Sequence, residues 1–390
     1  MHPKVEGTTI VRAFGDLLYT ADGKTLIDMF TAHGVAWLGH GRPEVSNAIA
    51  DQLSRIWITG GYLNPSVESM RHALREYLPA NLTLASLASS GMEANEQAIR
   101  IARVETGRHE IVGLGGAMHG KSFATAALAW DNGDNLSISQ VHRVPAGPEV
   151  LEQRTLEHVQ KLLRERPIAA VFVEPIHGTS FGWEASRDFY HSLRSLTRER
   201  GSLLIYDEVL TGFYRTGQCF RHTTQGVEPD ILVFGKACGN GFPVAGVAHS
   251  KAIELRPAML LGSTFSNNAL AAAAVAATLN VMRELDPINR VAAIEATVRS
   301  HLGRYIGGDN SRLRGAGALW VLTLDSSDDA TECRRRLHSA GVCIGHHGRQ
   351  LRLLPSLIIE PDRLAFACAR LSEIVAESVA SLRQPRMTPT

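Results

Sequence analysis

The sequence predicts an α/β protein, a mainly parallel sheet flanked by helices, accompanied by a smaller α+β unit. Three observations carry that expectation. Short, wholly apolar runs (Ile111–Leu114, Ala169–Val173, Leu203–Tyr206 and Ile231–Phe234) read as strands buried on both faces. Between them lie segments of helical pattern, Gln97–Arg103, Leu151–Arg166 and Arg187–Arg200, and such alternation favours parallel pairing through crossover helices. The chain of 390 residues is long enough for about 2.6 average domains, so two fit comfortably.

The ends differ from the middle. Leu17–Phe30 alternates around Ala21-Asp22-Gly23 as a hairpin would, and from Leu313 onward short strands and helices return. The expected division is a large domain over 46–280 and a discontinuous small domain made from 1–45 and 281–390. Gly262–Met282 lacks charge, but Ser263, Asn267, Asn268 and Asn280 with the Ala269–Ala277 centre mark a packed helix and not a bilayer span.

Composition narrows the function classes. Lys+Arg is 40 and Asp+Glu is 39, so the chain has no basic excess for nucleic acid or for an anionic membrane surface. The five cysteines are odd in number and form no C-x-x-C pair, which disfavours disulfides and zinc knuckles and favours a reducing, cytoplasmic setting. Met1–Gly7 is short and charged, without the apolar core of a signal peptide.

One motif competes for attention. Gly115-Gly116-Ala117-Met118-His119-Gly120-Lys121-Ser122 matches G-x-x-x-x-G-K-[ST], the phosphate loop of nucleotide hydrolases, and Asp207-Glu208 would serve as its magnesium-binding strand end. Met118 and His119 are bulky for a backbone cradle, and no second nucleotide signal accompanies the match.

Ligands of parallel sheets bind beyond the carboxyl ends of the strands, and four segments there stand out. Ser89–Glu96 opens a helix whose first N–H groups could hold an anion, although Ser90 and Glu93 also fit a plain capping box. Asp207 ends an apolar strand, where a carboxylate needs a cationic or hydrogen-bonding partner. Lys236 follows another strand among small residues, where desolvation makes an amine nucleophilic. Gly262–Asn268 is a turn rich in hydroxyls and amides. Trp37 and Tyr62 are candidates for a substrate pocket, with core or interface packing as the alternative. His346 and His347 are adjacent, which does not suit metal ligation; they are expected at the surface, and no metal site is expected.

Phosphate cradle, buried Asp and Schiff-base Lys are the protein parts that a pyridoxal phosphate site requires. The chain resembles the class III (ω-type, fold type I) pyridoxal-phosphate aminotransferases, from Leu18–Gly23 to Leu351–Leu357. The most specific block is Tyr206–Gly217, followed by Glu228-Pro229-Asp230 and Lys236, and Gly39–Val45 and Glu174–Gly178 also fit. The resemblance implies a seven-stranded, mainly parallel large domain. It implies that Lys236 attaches the cofactor and afterwards moves the substrate proton, and that Asp207 keeps the cofactor ring nitrogen protonated. Ser90, Gly91 and Met92 would hold the phosphate, and Met118, His119, Glu174 and Val209 would complete the cofactor site. Thr264 would reach the cofactor of a second subunit, making a homodimer part of the site, and Arg352 would clamp a substrate carboxylate.

Three departures from the family pattern stand out: Met118 where an aromatic residue is usual, Leu210 where many members have Gln, and Thr179 where some carry an acid that masks the carboxylate arginine. The activity implied is transfer of an amino group from an amino acid donor, such as glutamate, to a keto acid or aldehyde in two half-reactions. A racemase, epimerase or aminomutase would share the same residues. The nucleotide hydrolase and a cofactor-binding protein without turnover remain as further alternatives.

Overall fold

The computed structural model describes residues 8–129, 138–260, 262–307 and 311–382; Met1–Gly7 lies outside them. In chain order the strands are β1 (Ile10–Phe14), β2 (Leu17–Thr20), β3 (Thr25–Asp28), β4 (Leu82–Ala88), β5 (Glu110–Leu114), β6 (Val141–Val144), β7 (Ile168–Val173) and β8 (Leu203–Glu208). They continue with β9 (Ile231–Gly235), β10 (Ala245–Ser250), β11 (Leu313–Ala316), β12 (Leu319–Thr323), β13 (Val342–Cys343), β14 (Gly345–His347) and β15 (Gln350–Leu353).

The large sheet has seven strands in the order β4-β10-β9-β8-β7-β5-β6. β10 runs antiparallel to both of its neighbours, and β9, β8, β7, β5 and β6 pair in parallel. Period-two alternation sorts its side chains onto two cores. Ala170, Phe172 and Ile205 face the helix Gly91–Thr106 through Ala94, Ala98 and Ile101. Val171, Val173, Leu204 and Tyr206 face the opposite layer, with Phe189, Tyr190 and Leu193 of the helix Arg187–Arg200 and Val159 of the helix Glu152–Glu165. Both faces are covered, which is why the strands read as continuous apolar runs and not as alternating ones.

The helix boundaries follow local chemistry. Ser90 caps Gly91–Thr106 by accepting the Glu93 N–H, and Gly107 ends it in the left-handed region. Ser186 and Gly201 do the same for Arg187–Arg200. The helix expected over Gln97–Arg103 therefore starts six residues earlier, at Gly91, because the cap lies at Ser90. The alanine-rich segment forms a packed helix, Ala269–Glu284, and among the described residues no helix is long and apolar enough to cross a membrane.

Both ends of the chain share one sheet. The hairpin β2–β3 is antiparallel, and β3 pairs in parallel with β13, giving the order β1-β2-β3-β13. A further sheet, β11-β12-β15-β14, is wholly C-terminal. The adjacent histidines on β14 are not at the surface as expected. His346 is half-buried and both of its ring nitrogens are enclosed, because β14 pairs with β15 beneath the helix Ser327–Ser339.

Arg215 clasps three separate segments. It is fully buried and donates to the Pro355 carbonyl at 2.6 Å, the Ala318 carbonyl at 3.4 Å and the Gly34 carbonyl at 2.9 Å, and its guanidinium lies 3.9 Å over the Trp37 ring. Burial lowers its pKa to about 9. Replacing Arg215 with Leu leaves those carbonyls without their charged donor. It is expected to lower the unfolding free energy by about 3 kcal/mol, read as a fall in the urea midpoint; an unchanged midpoint would contradict the clasp.

Candidate active site

The site forms where β8 and β9 end. Asp207 is the penultimate residue of β8 and is buried. Its Oδ2 accepts the Asn95 amide at 2.7 Å and the His119 Nδ1–H at 2.8 Å, while Oδ1 accepts the Val209 N–H at 3.1 Å. Asn95 also donates to the His119 carbonyl at 2.7 Å, so helix, loop and strand meet on one carboxylate. With a carboxylate on Nδ1, the imidazole carries its proton there, and Nε2 is buried without a partner.

Lys236 begins the turn after β9 and sits at φ +43°, a left-handed conformation unusual for a residue with a side chain. Its pKa is lowered, first by burial and then by Arg352 and Arg215, against the opposing pull of Asp207 and Glu174. Asn240, which ends this turn, accepts the Leu38 N–H at 2.7 Å and donates to Gly39 O at 3.1 Å, fixing the turn to the N-terminal segment.

These groups open on a cavity of about 370 Å³, walled by Ser90, Gly91, Met92, Met118, His119, Asp207, Val209 and Lys236 among others. Gly91 admits no side chain, since a Cβ would lie 2.9 Å from Val209 Cγ1. Gly120, at φ +142°, would put a Cβ 2.5 Å from Thr125 Oγ1. The hydroxyl of Ser90 caps the helix, while the Glu93 carboxylate returns to the Ser89 N–H and not to Ser90, so the cap forms without the reciprocal bond of the expected capping box. The N–H groups of Gly91 and Met92 in the first turn still point outward without intrahelical acceptors.

Glu174 lies behind the cavity. Its Oε2 accepts the Met118 N–H at 2.8 Å and its Oε1 accepts the Gly178 N–H at 3.2 Å. Burial, followed by the negative charge of Asp207, raises its pKa. It positions two loops and is not on the cavity wall. Arg352, on β15, is buried and pairs across the sheet with Val321 and Gly345.

Other expected residues lie elsewhere. Trp37 is not a wall of the substrate pocket: it is fully buried, with its indole under Arg215. Tyr62 is 84% exposed and borders, with Thr264, a separate cleft of about 500 Å³. The phosphate-loop match is overturned by geometry, because His119 is sunk onto Asp207 and the helix that follows, Phe123–Ala129, has seven residues. Glu208, the supposed magnesium ligand, is fully buried and accepts Thr211 Oγ1, the Arg221 N–H, and both the N–H and Nδ1 of His222.

Sequence reasoning missed Asn95, Asn240 and Arg215. The available signal for Asn95 was a poor helix former four residues into a helix, one turn from the phosphate-binding candidates. Among the described residues no cluster of three or more His, Cys, Asp or Glu is placed to hold a metal ion.

The residues present fit a phosphorylated pyridine. A helix N-terminus with free N–H groups suits the phosphate, and a buried carboxylate suits a protonated ring nitrogen. A desolvated amine suits the aldehyde. Fold and site together define a pyridoxal-phosphate enzyme. The chain belongs to the class III aminotransferases, whose family model matches residues 2–375. It is similar to the LysW-aminoadipate semialdehyde/glutamate semialdehyde transaminase of Sulfolobus acidocaldarius, 35% identical over 281 residues and 71% of each chain. The acetylornithine aminotransferase of Bacillus subtilis is 30% identical over 377 residues, 95% of this chain and 96% of the relative. A transaminase structure from the marine bacterium Virgibacillus superposes with a TM-score of 0.88 at 22% identity, covering 98% of this chain and 97% of that one. The protein is a pyridoxal-phosphate-dependent aminotransferase.

A buried histidine behind the site sets a pH limit. His177, edge-on to Trp183, has its pKa lowered to about 3 by burial, with His119 adding to the shift. The unfolded chain, titrating near 6.5, then binds more protons than the folded one between those values. Stability from this group is present above 6.5 and is lost as the pH falls towards 3. His177→Gln is expected to flatten the pH dependence of the urea midpoint over that window; an unaltered slope would contradict the assignment.

Proposed function

We propose that this aminotransferase takes its amino group from an amino acid, with glutamate the donor to test first, and delivers it to an aldehyde or keto acid, an amino-acid semialdehyde being the class suggested by the relatives' names. The observation that carries the reading is the convergence of Lys236, Asp207 and the N-terminus of the helix Gly91–Thr106 on one cavity. Arg352, a buried cation close enough to Lys236 and Glu174 to interact electrostatically with both, is assigned the donor carboxylate.

Bound pyridoxal phosphate supplies an electron-accepting ring that stabilises charge left on the substrate carbon. The chain's own groups do the rest. Gly91 and Met92 hold the phosphate through backbone N–H groups, with Ser90 shaping the turn. Asp207, oriented by Asn95 and His119, holds a proton on the ring nitrogen. Val209 and Met118, both walls of the cavity, would flank the ring, with Met118 offering a polarisable sulfur where a flat ring is usual. Lys236, with its amine made less basic by burial, would take and hold the proton from the substrate carbon at its Nζ.

The working form is proposed to be a homodimer in the cytoplasm, with Thr264 reaching the partner's phosphate. Support comes from apolar side chains on neighbouring loops, Trp57 at 57%, Leu63 at 91% and Phe265 at 56% exposure, joined by the bond from the Ala269 N–H to Trp57 O. The division into 46–280 and the paired ends 1–45 and 281–390 is likewise proposed, supported by the β3–β13 pairing.

Incubation of the purified holoenzyme with glutamate and no acceptor is expected to release 2-oxoglutarate in an amount equal to the enzyme, and Lys236→Ala to abolish that release. Return of glutamate with its stereocentre scrambled, and no keto acid, would favour racemisation and sink the transfer reading.

A further inference from the structure

Arg352 is a buried guanidinium without an acid of its own. Among the described residues no carboxylate stands within ion-pair distance of it, and its Nε is enclosed without a partner. Glu174 is an electrostatic neighbour, but both of its oxygens are engaged by the N–H groups of Met118 and Gly178. What lies against the cation is an aromatic face: Arg352 Cζ is 5.1 Å from the centroid of the Phe30 ring.

That ring is held in place by unusual means. The chain after Phe30 makes a left-handed turn through Thr31 (φ 45°), Ala32 (φ 50°), His33 (φ 66°) and Gly34 (φ 82°), and three of these four residues carry side chains that oppose the conformation. Surrounding groups hold the strain. The Asp28 carboxylate accepts the N–H groups of Phe30 at 2.9 Å and Thr31 at 2.8 Å, and is itself fixed by His40 at 2.7 Å. Thr31 donates its hydroxyl to Leu354 O at 2.7 Å, and Arg215 holds Gly34 O at 2.9 Å. The ring also lies against Gly345, the cross-strand partner of Arg352, where a Cβ would fall 2.3 Å from Phe30 Cε2 and 3.2 Å from Arg352 Cβ. A ring so fixed, beside a cation so exposed to it, is a built contact.

We infer that Phe30 is a specificity-determining residue: its ring is the resting cover of Arg352, and an entering carboxylate meets a guanidinium stabilised by a neutral aromatic face and not one paired with an acidic side chain. This rests on the assignment of Arg352 to the substrate carboxylate. The energetics have a definite sign. A cation–π contact stabilises the empty site and the site holding a substrate without that carboxylate, and it weakens when a bound carboxylate neutralises the guanidinium. The ring therefore narrows the preference for carboxylated substrates without abolishing it, and allows both kinds to be handled at one arginine.

The test compares holoenzyme carrying Phe30→Leu, which keeps apolar bulk without the π face, with Phe30→Tyr, which keeps the face. The substrate pair is glutamate and 4-aminobutyrate, which differ by the α-carboxylate alone. Phe30→Leu is expected to lower the KM for glutamate about fivefold and leave that for 4-aminobutyrate unchanged. Propionate binding, followed by calorimetry without turnover, is expected to tighten by the same factor. Phe30→Tyr should restore wild-type values for all three. Gly345→Ala crowds the ring, its Cβ meeting Phe30 more closely than Arg352, and should shift propionate affinity in the same direction, so the proposal does not hang on one variant's folding. Equal shifts for both substrates, or a Leu variant indistinguishable from Tyr, would overturn the cover and leave Arg352 in its role. If Arg352→Gln leaves propionate affinity unchanged, the carboxylate assignment fails, and the role of Phe30 fails with it.

Discussion

The site hangs on one buried charge. Asp207 lies at the end of a strand covered on both faces, where an unpaired carboxylate would be costly. Three donors meet it, and each belongs to a different element: Asn95 to the phosphate-side helix, His119 to the loop after β5, and the Val209 N–H to its own strand end. Satisfying this carboxylate therefore fixes the helix, the loop and the strand relative to one another. Its remaining capacity faces the cavity, where a ring nitrogen can bring a proton. The adjacent strand β9 then delivers Lys236 to the same edge through parallel pairing of Asp207 with Val233.

A second layer of constraint comes from cations without acids. Arg215 and Arg352 are both buried, both lie near an aromatic ring, and neither has a salt bridge among the described residues. Their hydrogen bonds separate their roles. Arg215 spends its donors on carbonyls from three segments and joins the two ends of the chain to the β8 side of the site. Arg352 has no such set of carbonyls among the described residues, which supports its proposed pairing with a substrate carboxylate. Burial lowers the pKa of Arg352 to about 10, so it stays charged at neutral pH.

Much of this was legible in the sequence where a local rule and the tertiary structure agree. β7 and β8 read as strands because both faces are buried, and Lys236, Asp207 and the Ser90–Met92 segment, singled out because chemistry in such sheets gathers at strand ends, line one cavity. The fold class and the family followed from those residues. Contacts between distant segments were less legible. Nothing local to Trp37 says that a guanidinium 178 positions away will cover it, so a pocket residue and a core residue look alike there. Phe30 carries no motif, and its role arises from a left-handed turn that no propensity favours. The phosphate-loop pattern misled because it counts glycines and a lysine, whereas what decides the loop's use is the imidazole of His119 turned inward to Asp207.

The most direct test of the account is where the cofactor is attached. Borohydride reduction of the holoenzyme, followed by proteolysis and mass spectrometry of the peptides, should find the reduced cofactor on Lys236 in the wild-type protein. In Asp207→Ala the label should fall sharply at equal cofactor concentration, because the charge that orients the ring is gone. A label on Lys121, within the phosphate-loop look-alike, or labelling of Lys236 unaffected by loss of Asp207, would contradict the central role given to that carboxylate.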